Sequence, residues 1–181
     1  MKQNGYQIVS ESLNHSSILL VTGMSGSGKS TYASNLEKEK NYKWIELDLI
    51  AKDIMFKKHN IKSREEAKEW KRNHTLKELI HELEIGATQA LNIALNEKHN
   101  TPVVIEGVGI FKVKDLSLLQ NYPIHCMPII SLTETINRKI GRFKDRGKEI
   151  DNRKLKEMTY LYKDELPKYK KFLKSKMMKF V

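Results

Sequence analysis

The residues from Gly23 to Ser30 constrain the fold more than any other part of the chain. They read Gly-Met-Ser-Gly-Ser-Gly-Lys-Ser and match the pattern G-x-x-x-x-G-K-[ST] in full. A continuous apolar run, Ile18–Thr22, comes directly before them and predicts a central parallel strand buried on both faces. Helical sequence resumes at Ser30 and continues to about Lys40. A strand, a glycine-rich turn and a helix in this order predict an α/β unit.

Each fixed position of this segment has a mechanical reason in phosphate binding. Glycines let the backbone turn tightly, so that its N–H groups point at phosphate oxygens, and the helix N-terminus adds partial positive charge. Lys29 can reach the β- and γ-phosphates, Ser30 offers a hydroxyl to Mg²⁺, and Thr31 begins the helix. A chance glycine-rich turn is disfavoured because strand, motif and helix agree, and a dinucleotide site lacks its G-x-G-x-x-G order. The predicted ATP-binding residues are Gly23, Ser25, Gly26, Ser27, Gly28, Lys29, Ser30 and Thr31.

The rest of the chain alternates predicted strands and helices. Further strands are expected at 44–48, 103–107 and 124–132, a long helix at 63–99, and another helix from Thr133. Beyond Pro167, a basic amphipathic helix is expected over 168–180. The apolar stripe from Leu76 to Leu95 is interpreted as core. Together these patterns predict one domain over residues 1–181, with a parallel sheet of four to five strands between two helical layers.

Composition excludes several classes of protein. No apolar run approaches the roughly 20 residues that span a bilayer, and residues 1–17 lack the features of a secretory signal, so we expect a cytoplasmic location. Cys126 is the only cysteine, which excludes an intramolecular disulfide, and it is expected to be a buried, inert thiol.

Positive charge is concentrated at the C-terminal end of the chain. The formal net charge is +11, and residues 138–181 carry 16 Lys and Arg against 6 Asp and Glu. Such a field attracts anions. It is compatible with phosphorylated small molecules, nucleic acid and acidic membrane surfaces alike, so nucleic acid is a possible partner.

Two acidic residues stand at predicted strand ends, where the carboxyl ends of parallel strands line one crevice. Glu106 closes the strand at 103–107 and is the candidate acid that holds Mg²⁺ through water, with Ser30 as the other metal-binding residue, or that orients the attacking group; a solvent-facing glutamate is the alternative. Asp48 closes the strand at 44–48 and is the candidate that accepts the proton of a substrate hydroxyl. Asp53 is its rival for this role, and a plain helix N-cap is the alternative for Asp48.

Arginines at four-residue spacing are the candidate catalytic cations. Arg138, Arg142 and Arg146 fall on neighbouring turns of one helix face. Phosphoryl transfer spreads negative charge over the moving group, and arginine forks suit phosphate oxygens. The alternative is a basic helix face that is only solvated surface.

These three features together resemble the nucleoside and nucleoside-monophosphate kinases of the P-loop class, with uridine kinase and cytidylate kinase as the nearest forms. The resemblance covers about 18–162 and is carried by the segment 23–30, the strand 103–107 and the stretch 138–148. It implies a three-layer α/β/α P-loop NTPase fold with an acceptor-binding helical region at 48–101, a helical lid at 133–150 and a basic C-terminal helix at 167–181. It also implies that Asp48 is the base for the acceptor hydroxyl. Arg138, Arg142 and Arg146 would contact ATP and the transferred phosphate.

The function expected from the sequence is transfer of the γ-phosphate of ATP, with Mg²⁺, to a small acceptor, a nucleoside or a nucleotide. Its alternatives are a kinase acting on a nucleic-acid end or modified base, a non-catalytic ATP-dependent nucleic-acid-binding module, and a sugar or antibiotic kinase. The guanine-binding pattern N-K-x-D is missing from the sequence, which disfavours a GTPase switch.

Overall fold

A five-stranded sheet forms the centre of the computed structural model, which describes residues 6–8, 18–113 and 115–177. The strands are β1 (Tyr6–Ile8), β2 (Ile18–Thr22), β3 (Lys43–Glu46), β4 (Val103–Glu106) and β5 (Ile124–Cys126). Their order across the sheet is β1-β5-β2-β4-β3. β2, β3, β4 and β5 are parallel, and β1 pairs with β5 in the antiparallel sense at one edge. The predicted parallel sheet is thus confirmed, and β1 was not foreseen.

Helices cover both faces of this sheet. They are α1 (Lys29–Lys40), α2 (Leu47–Lys58), α3 (Arg64–Arg72), α4 (Leu76–Asn96), α5 (Leu132–Asp145) and α6 (Asn152–Met177), with short 3-10 turns at Val108–Lys112 and Leu116–Leu119. On one face, Ala33 and Leu36 of α1 pack against Val21 and Val104 of the sheet. On the other face, α2, α4 and α6 bury a larger apolar cluster. The arrangement is the predicted three-layer α/β/α architecture.

Two predicted strands are shorter than expected. The strand predicted at 44–48 ends at Glu46, and Leu47, which is fully buried, starts α2 without an intervening turn. Asp48 therefore lies in the first turn of a helix and not on a strand. The strand predicted at 124–132 ends at Cys126, because Pro128 has no N–H to continue the ladder and Leu132 already belongs to α5.

The long helix predicted at 63–99 is two helices, α3 and α4. Thr75 starts α4 with a reciprocal capping box: its hydroxyl accepts from the N–H of Glu78, and the Glu78 carboxylate accepts from the N–H of Thr75. The capping box gives hydrogen-bond partners to N–H groups at the start of α4, which have none inside the helix. Ser63 caps α3 in a similar way by accepting from the N–H of Glu66.

The C-terminal helix begins well before its predicted start at 167–168, since α6 runs from Asn152 through Pro167 to Met177. The predicted residues beyond Met177 lie outside the described part of the chain. Tyr169 and Phe172 are buried against the core as the amphipathic pattern indicated. The Tyr169 hydroxyl donates to the carbonyl oxygen of Met127 at 2.6 Å. None of the described helices is both long enough and apolar enough to span a bilayer.

The contact between Tyr169 and Met127 makes a stability prediction. We expect Tyr169→Phe to lower the free energy of unfolding by about 1–2 kcal/mol, because the buried carbonyl of Met127 loses its donor from α6. Urea unfolding followed by circular dichroism measures this change. Tyr160→Phe on the same helix is the matched control, since Tyr160 is 44% exposed, and we expect a change below about 0.5 kcal/mol there. Equal effects of the two substitutions would contradict the assignment.

Candidate functional site

The segment 23–30 forms a tight loop between β2 and α1. Gly26 (φ 84°) and Gly28 (φ 100°) both lie in the left-handed region that favours glycine, and Gly28 is the N-cap of α1. The N–H of Ser27 donates to the carbonyl of Met24 at 3.1 Å. Lys29 is 6% exposed, and its ammonium donates to the same carbonyl at 3.2 Å. The loop therefore holds a buried cation at a helix N-terminus, the arrangement that binds phosphate groups.

Glu106 lies directly beside this loop. Parallel pairing of β2 with β4 places Glu106 opposite Val21, and its Oε1 accepts from the Ser30 hydroxyl at 3.1 Å. Glu106 is 2% exposed. Burial raises the pKa of this carboxyl to about 6, Lys29 partly opposes the shift, and the negative charge of Asp48 adds to it. The alternative of a solvent-facing strand-end glutamate is excluded by this burial.

The Ser30 and Glu106 pair is suited to Mg²⁺. Glu106 Oε2 is buried and has no hydrogen-bond donor among the described residues, so it is free to bind a cation. No group of three or more His, Cys, Asp or Glu side chains able to hold a metal occurs in the described ranges. A hydroxyl and one carboxylate suit Mg²⁺, which typically keeps several waters and binds substrate phosphates beside one or two protein ligands.

Asp48 reaches toward the same region from the first turn of α2. Its two carboxylate oxygens lie 3.4 Å from the backbone nitrogens of Val108 and Gly109, which are long contacts. The N-cap of α2 is Glu46, so Asp48 does not cap its own helix. Asp53, the rival candidate, is an exposed residue of α2 that lines neither of the two cavities described next.

Two cavities reach the loop 23–30, each at different residues. The first, called the Asp48 cavity, has a volume of about 510 Å³ and reaches Ser25 and Asp48. Its wall includes apolar residues of α2 and α4: Met55, Phe56, Leu76, Leu79, Ile80 and Leu83. The interpretation of the 76–95 stripe as core is wrong for Leu83, which is 40% exposed. Leu76 and Leu79 are only partly buried, whereas Ile80 is buried as expected.

The second cavity, called the Arg142 cavity, has a volume of about 630 Å³. It reaches Ser27, Gly28 and Thr31 of the loop, and its remaining wall includes Tyr32, His125, Met127, Pro128, Arg138 and Arg142. The rings of Tyr32 and His125 stack at 4.2 Å between centroids. Burial lowers the pKa of His125, which keeps its ring neutral near pH 7. This cavity combines a flat aromatic surface with guanidinium groups beside the loop.

The predicted arginines are not all brought to the site. Arg138 donates to the carbonyl of Gly26 at 3.2 Å and pairs with Glu134 at 2.6 Å. Arg142 also lines the Arg142 cavity. Arg146 is the exposed C-cap of α5 and lines neither cavity. The three arginines do follow one helix, but only Arg138, in its first half, contacts the loop, and Arg146 lies about two turns further along.

Sequence reasoning missed three charged residues at the loop. Glu165 of α6 is 3% exposed and accepts from the N–H and the hydroxyl of Ser25 at 2.8 and 3.0 Å. Lys112 lies 3.9 Å from the Glu165 carboxylate. Lys139 of α5 is half-buried next to Gly26, and burial lowers its pKa. No local pattern marks these residues, because each reaches the loop from a remote part of the chain.

Part of the excess positive charge of residues 138–181 lies at this site. Arg138 and Arg142 line one cavity, and Arg153 and Lys154 line the other. Lys168 is paired with Glu84 at 2.7 Å. The expectation that nucleic acid binds through this region finds no support in the described residues.

Comparison with known proteins identifies the fold. A family model described as an AAA domain matches residues 19–161. Among solved structures, a shikimate kinase from Acinetobacter baumannii in complex with shikimate aligns with a TM-score of 0.51 at 15% identity, covering 86% of this chain and 79% of that chain. A shikimate kinase from Bacteroides thetaiotaomicron gives 0.47 at 17% identity, with 85% and 81% covered. A gluconokinase from Sinorhizobium meliloti gives 0.42 at 16% identity, with 83% and 73% covered. No curated protein sequence matches the chain.

The burial of Glu106 makes a prediction about pH and stability. Because its pKa rises from 4.5 to about 6 on folding, the unfolded chain ionises this carboxyl before the native state does. The resulting loss of stability is absent below pH 4.5, develops between pH 4.5 and about 6, and is complete above that range. We therefore expect Glu106→Gln to raise the free energy of unfolding of the ligand-free protein by about 2 kcal/mol at pH 7.5, and not at pH 4.5.

Urea unfolding at these two pH values measures the effect, and Glu78→Gln is a control of opposite sign. Hydrogen bonds from the N–H and hydroxyl of Thr75 lower the pKa of Glu78, so its ionised form stabilises the fold. A Glu106→Gln protein that is less stable than the unmodified protein at pH 7.5 would refute the prediction.

Proposed function

The chain belongs to the AAA domain family, and we propose that it is an ATP-dependent phosphotransferase that moves the γ-phosphate of ATP to a hydroxyl of a small acceptor. The observation that carries the proposal is the position of the loop 23–30 between two cavities. Ser25 lines the Asp48 cavity, while Ser27, Gly28 and Thr31 line the Arg142 cavity. Both volumes lie in the range of small-molecule sites, about 300–1,000 Å³. Two substrates can thus meet at one phosphate-binding loop.

The Arg142 cavity is assigned to the nucleoside part of ATP. Its stacked Tyr32 and His125 rings offer an aromatic surface beside the start of α1, and the triphosphate would follow the loop toward Ser25. Arg138 and Arg142 would neutralise phosphate oxygens from the side of α5, in the lid role that the kinase resemblance implies for 133–150. Ser30 and Glu106 would hold Mg²⁺, which when bound neutralises phosphate charge.

The Asp48 cavity is assigned to the acceptor. Asp48 would accept the proton of the acceptor hydroxyl as that oxygen forms a bond to the γ-phosphorus. The bond from the γ-phosphorus to the bridging oxygen breaks, and ADP leaves with the electron pair. Lys29 lies in the loop between the two substrates and neutralises charge on the transferred group. Most of the rate gain in such a transfer comes from positioning and from cations already in place.

A nucleoside or a nucleotide remains the acceptor class implied by the resemblance to uridine and cytidylate kinases. The fold shared with a shikimate kinase is compatible with other small hydroxylated acceptors as well. The Asp48 cavity has an apolar wall that includes Phe56 and Leu79, which suits a compact acceptor with one apolar face.

Asp48→Asn tests the assignment of the base. We expect kcat for ADP formation with an active acceptor to fall at least about 100-fold, because the amide cannot accept the hydroxyl proton. The KM for ATP should stay within about twofold, since Asp48 lies on the acceptor side of the loop. A coupled ADP assay with a panel of nucleosides, nucleotides, sugars and small hydroxy acids measures both constants.

Asp53→Asn is the matched control on the same helix, and it should keep nearly full kcat. If the Asp53 variant loses turnover and the Asp48 variant retains it, Asp53 and not Asp48 is the base. ATP binding without ADP formation for any acceptor would remove the phosphotransferase proposal and leave a non-catalytic ATP-binding module. Turnover only with an oligonucleotide would favour the nucleic-acid kinase.

A further inference from the structure

Basic side chains from three helices converge on the Asp48 cavity. Lys52 comes from α2, Lys71 from α3, and Arg153 and Lys154 from α6. α6 is far from α2 and α3 in the sequence, so no local sequence pattern predicts the cluster. Its members share the cavity with the candidate base Asp48 and the loop residue Ser25.

Neighbouring acids neutralise only part of the cluster. Lys154 is 2.6 Å from the Glu157 carboxylate, and Arg153 is 3.9 Å from the same group, so one acid serves two cations. Within the described ranges, no carboxylate lies within ion-pair distance of Lys52 or Lys71. Lys52 lies instead over the Phe56 ring at 5.0 Å.

The other acids that line the cavity already have partners. Glu84 pairs with Lys168 at 2.7 Å. Glu165 accepts from the N–H of Ser25 at 2.8 Å, and Asp48 faces the backbone nitrogens of Val108 and Gly109. Among the described residues, these three carboxylates form no ion pair with Lys52, Lys71 or Lys154.

Lysine charges repel one another in this place. Partial burial, followed by the positive charges of Lys154 and Lys52, lowers the pKa of Lys71, and Glu157 alone opposes the shift. An ordinary surface lysine lies apart from other cations and keeps its ammonium group hydrated. Three lysines that face one cavity gain from an anion that lies between them.

We propose that Lys52, Lys71 and Lys154, supported by Arg153, form an anion-binding subsite of the Asp48 cavity, and that the acceptor carries a carboxylate or phosphate group besides its reacting hydroxyl. This inference rests on the proposed function because it names an acceptor, but binding of an anion at the subsite does not require turnover. The cavity of about 510 Å³ accommodates both groups in one small molecule. A neutral nucleoside would leave the subsite empty, whereas a nucleotide or a hydroxy acid would fill it.

Binding of simple anions tests the subsite without knowledge of the acceptor. The protein is first saturated with Mg²⁺ and a non-hydrolysable ATP analogue, so that the loop 23–30 is occupied. Inorganic phosphate and acetate are then titrated by calorimetry at constant ionic strength set with chloride. We expect saturable binding of at least one of them, and a loss of affinity of about tenfold in Lys71→Met, because one of the facing charges is removed.

Two further variants separate a site from a general effect of charge. Lys68→Met removes a lysine of the same helix whose side chain is outside the cavity and lies 3.9 Å from Glu65, and it should bind anions as the unmodified protein does. Lys71→Arg keeps the charge and should restore most of the affinity. Preference for phosphate or for acetate identifies which anionic group the subsite takes.

Several results would overturn the inference. They are no saturable binding of either anion to the nucleotide-loaded protein, equal affinity in Lys71→Met, or equal losses in the Lys68 and Lys71 variants. In the ADP assay, turnover of neutral acceptors alone would also overturn it while leaving the phosphotransferase proposal intact. Conversely, anion binding that depends on Lys71 without turnover of any acceptor would remove the phosphotransferase and keep the subsite.

Discussion

The parallel register between β2 and β4 is the constraint on which the site depends. It sets Val21 opposite Glu106, one residue before the last residue of β2 and immediately below the loop. The N–H of Gly107 donates to the Val21 carbonyl, and the Thr22 hydroxyl donates to the Gly107 carbonyl, so the two strand ends are tied together. A slip of one residue would turn Glu106 to the other face of the sheet and separate it from Ser30. The position of Glu106 beside Ser30 is therefore a property of strand pairing.

The parts of the site that could be predicted are those encoded by contiguous residues. The loop 23–30 and Glu106 each follow an apolar strand, and a buried strand in a parallel sheet has a recognisable pattern. Asp48 was placed at the correct edge but on the wrong element, because the sequence has no turn residue to show where β3 ends. The break between α3 and α4 depends on a local capping box at Thr75 that competes with continued helix. The contact of Glu165 with Ser25 joins residues that no local rule connects.

The uneven charge of the chain becomes intelligible once its positions in space are known. Arg138 and Arg142 of α5 face one cavity, while Arg153 and Lys154 of α6 face the other. Phosphoryl transfer spreads negative charge over the moving group, and an anionic group on either substrate would require further cations in its own cavity. Net charge indicated anions as partners, but only the fold divides the cations between two cavities. Arg146 shows the limit of spacing arguments, since residues on one helix face lie at different distances from a loop that only Arg138 contacts.

Met127 connects the C-terminal helix to the phosphate-binding loop. Its N–H donates to the Thr22 carbonyl at 2.8 Å, and its own carbonyl accepts from Tyr169 at 2.6 Å. Its side chain lies so close to Gly23 that a Cβ there would come within 2.6 Å of the Met127 Cβ. Glu165, one turn before Tyr169, holds Ser25 from the same helix. α6 thus holds Ser25 directly through Glu165 and supports Met127, the neighbour of Gly23, through Tyr169. A helix that is distant in sequence therefore helps to set the shape of the loop 23–30.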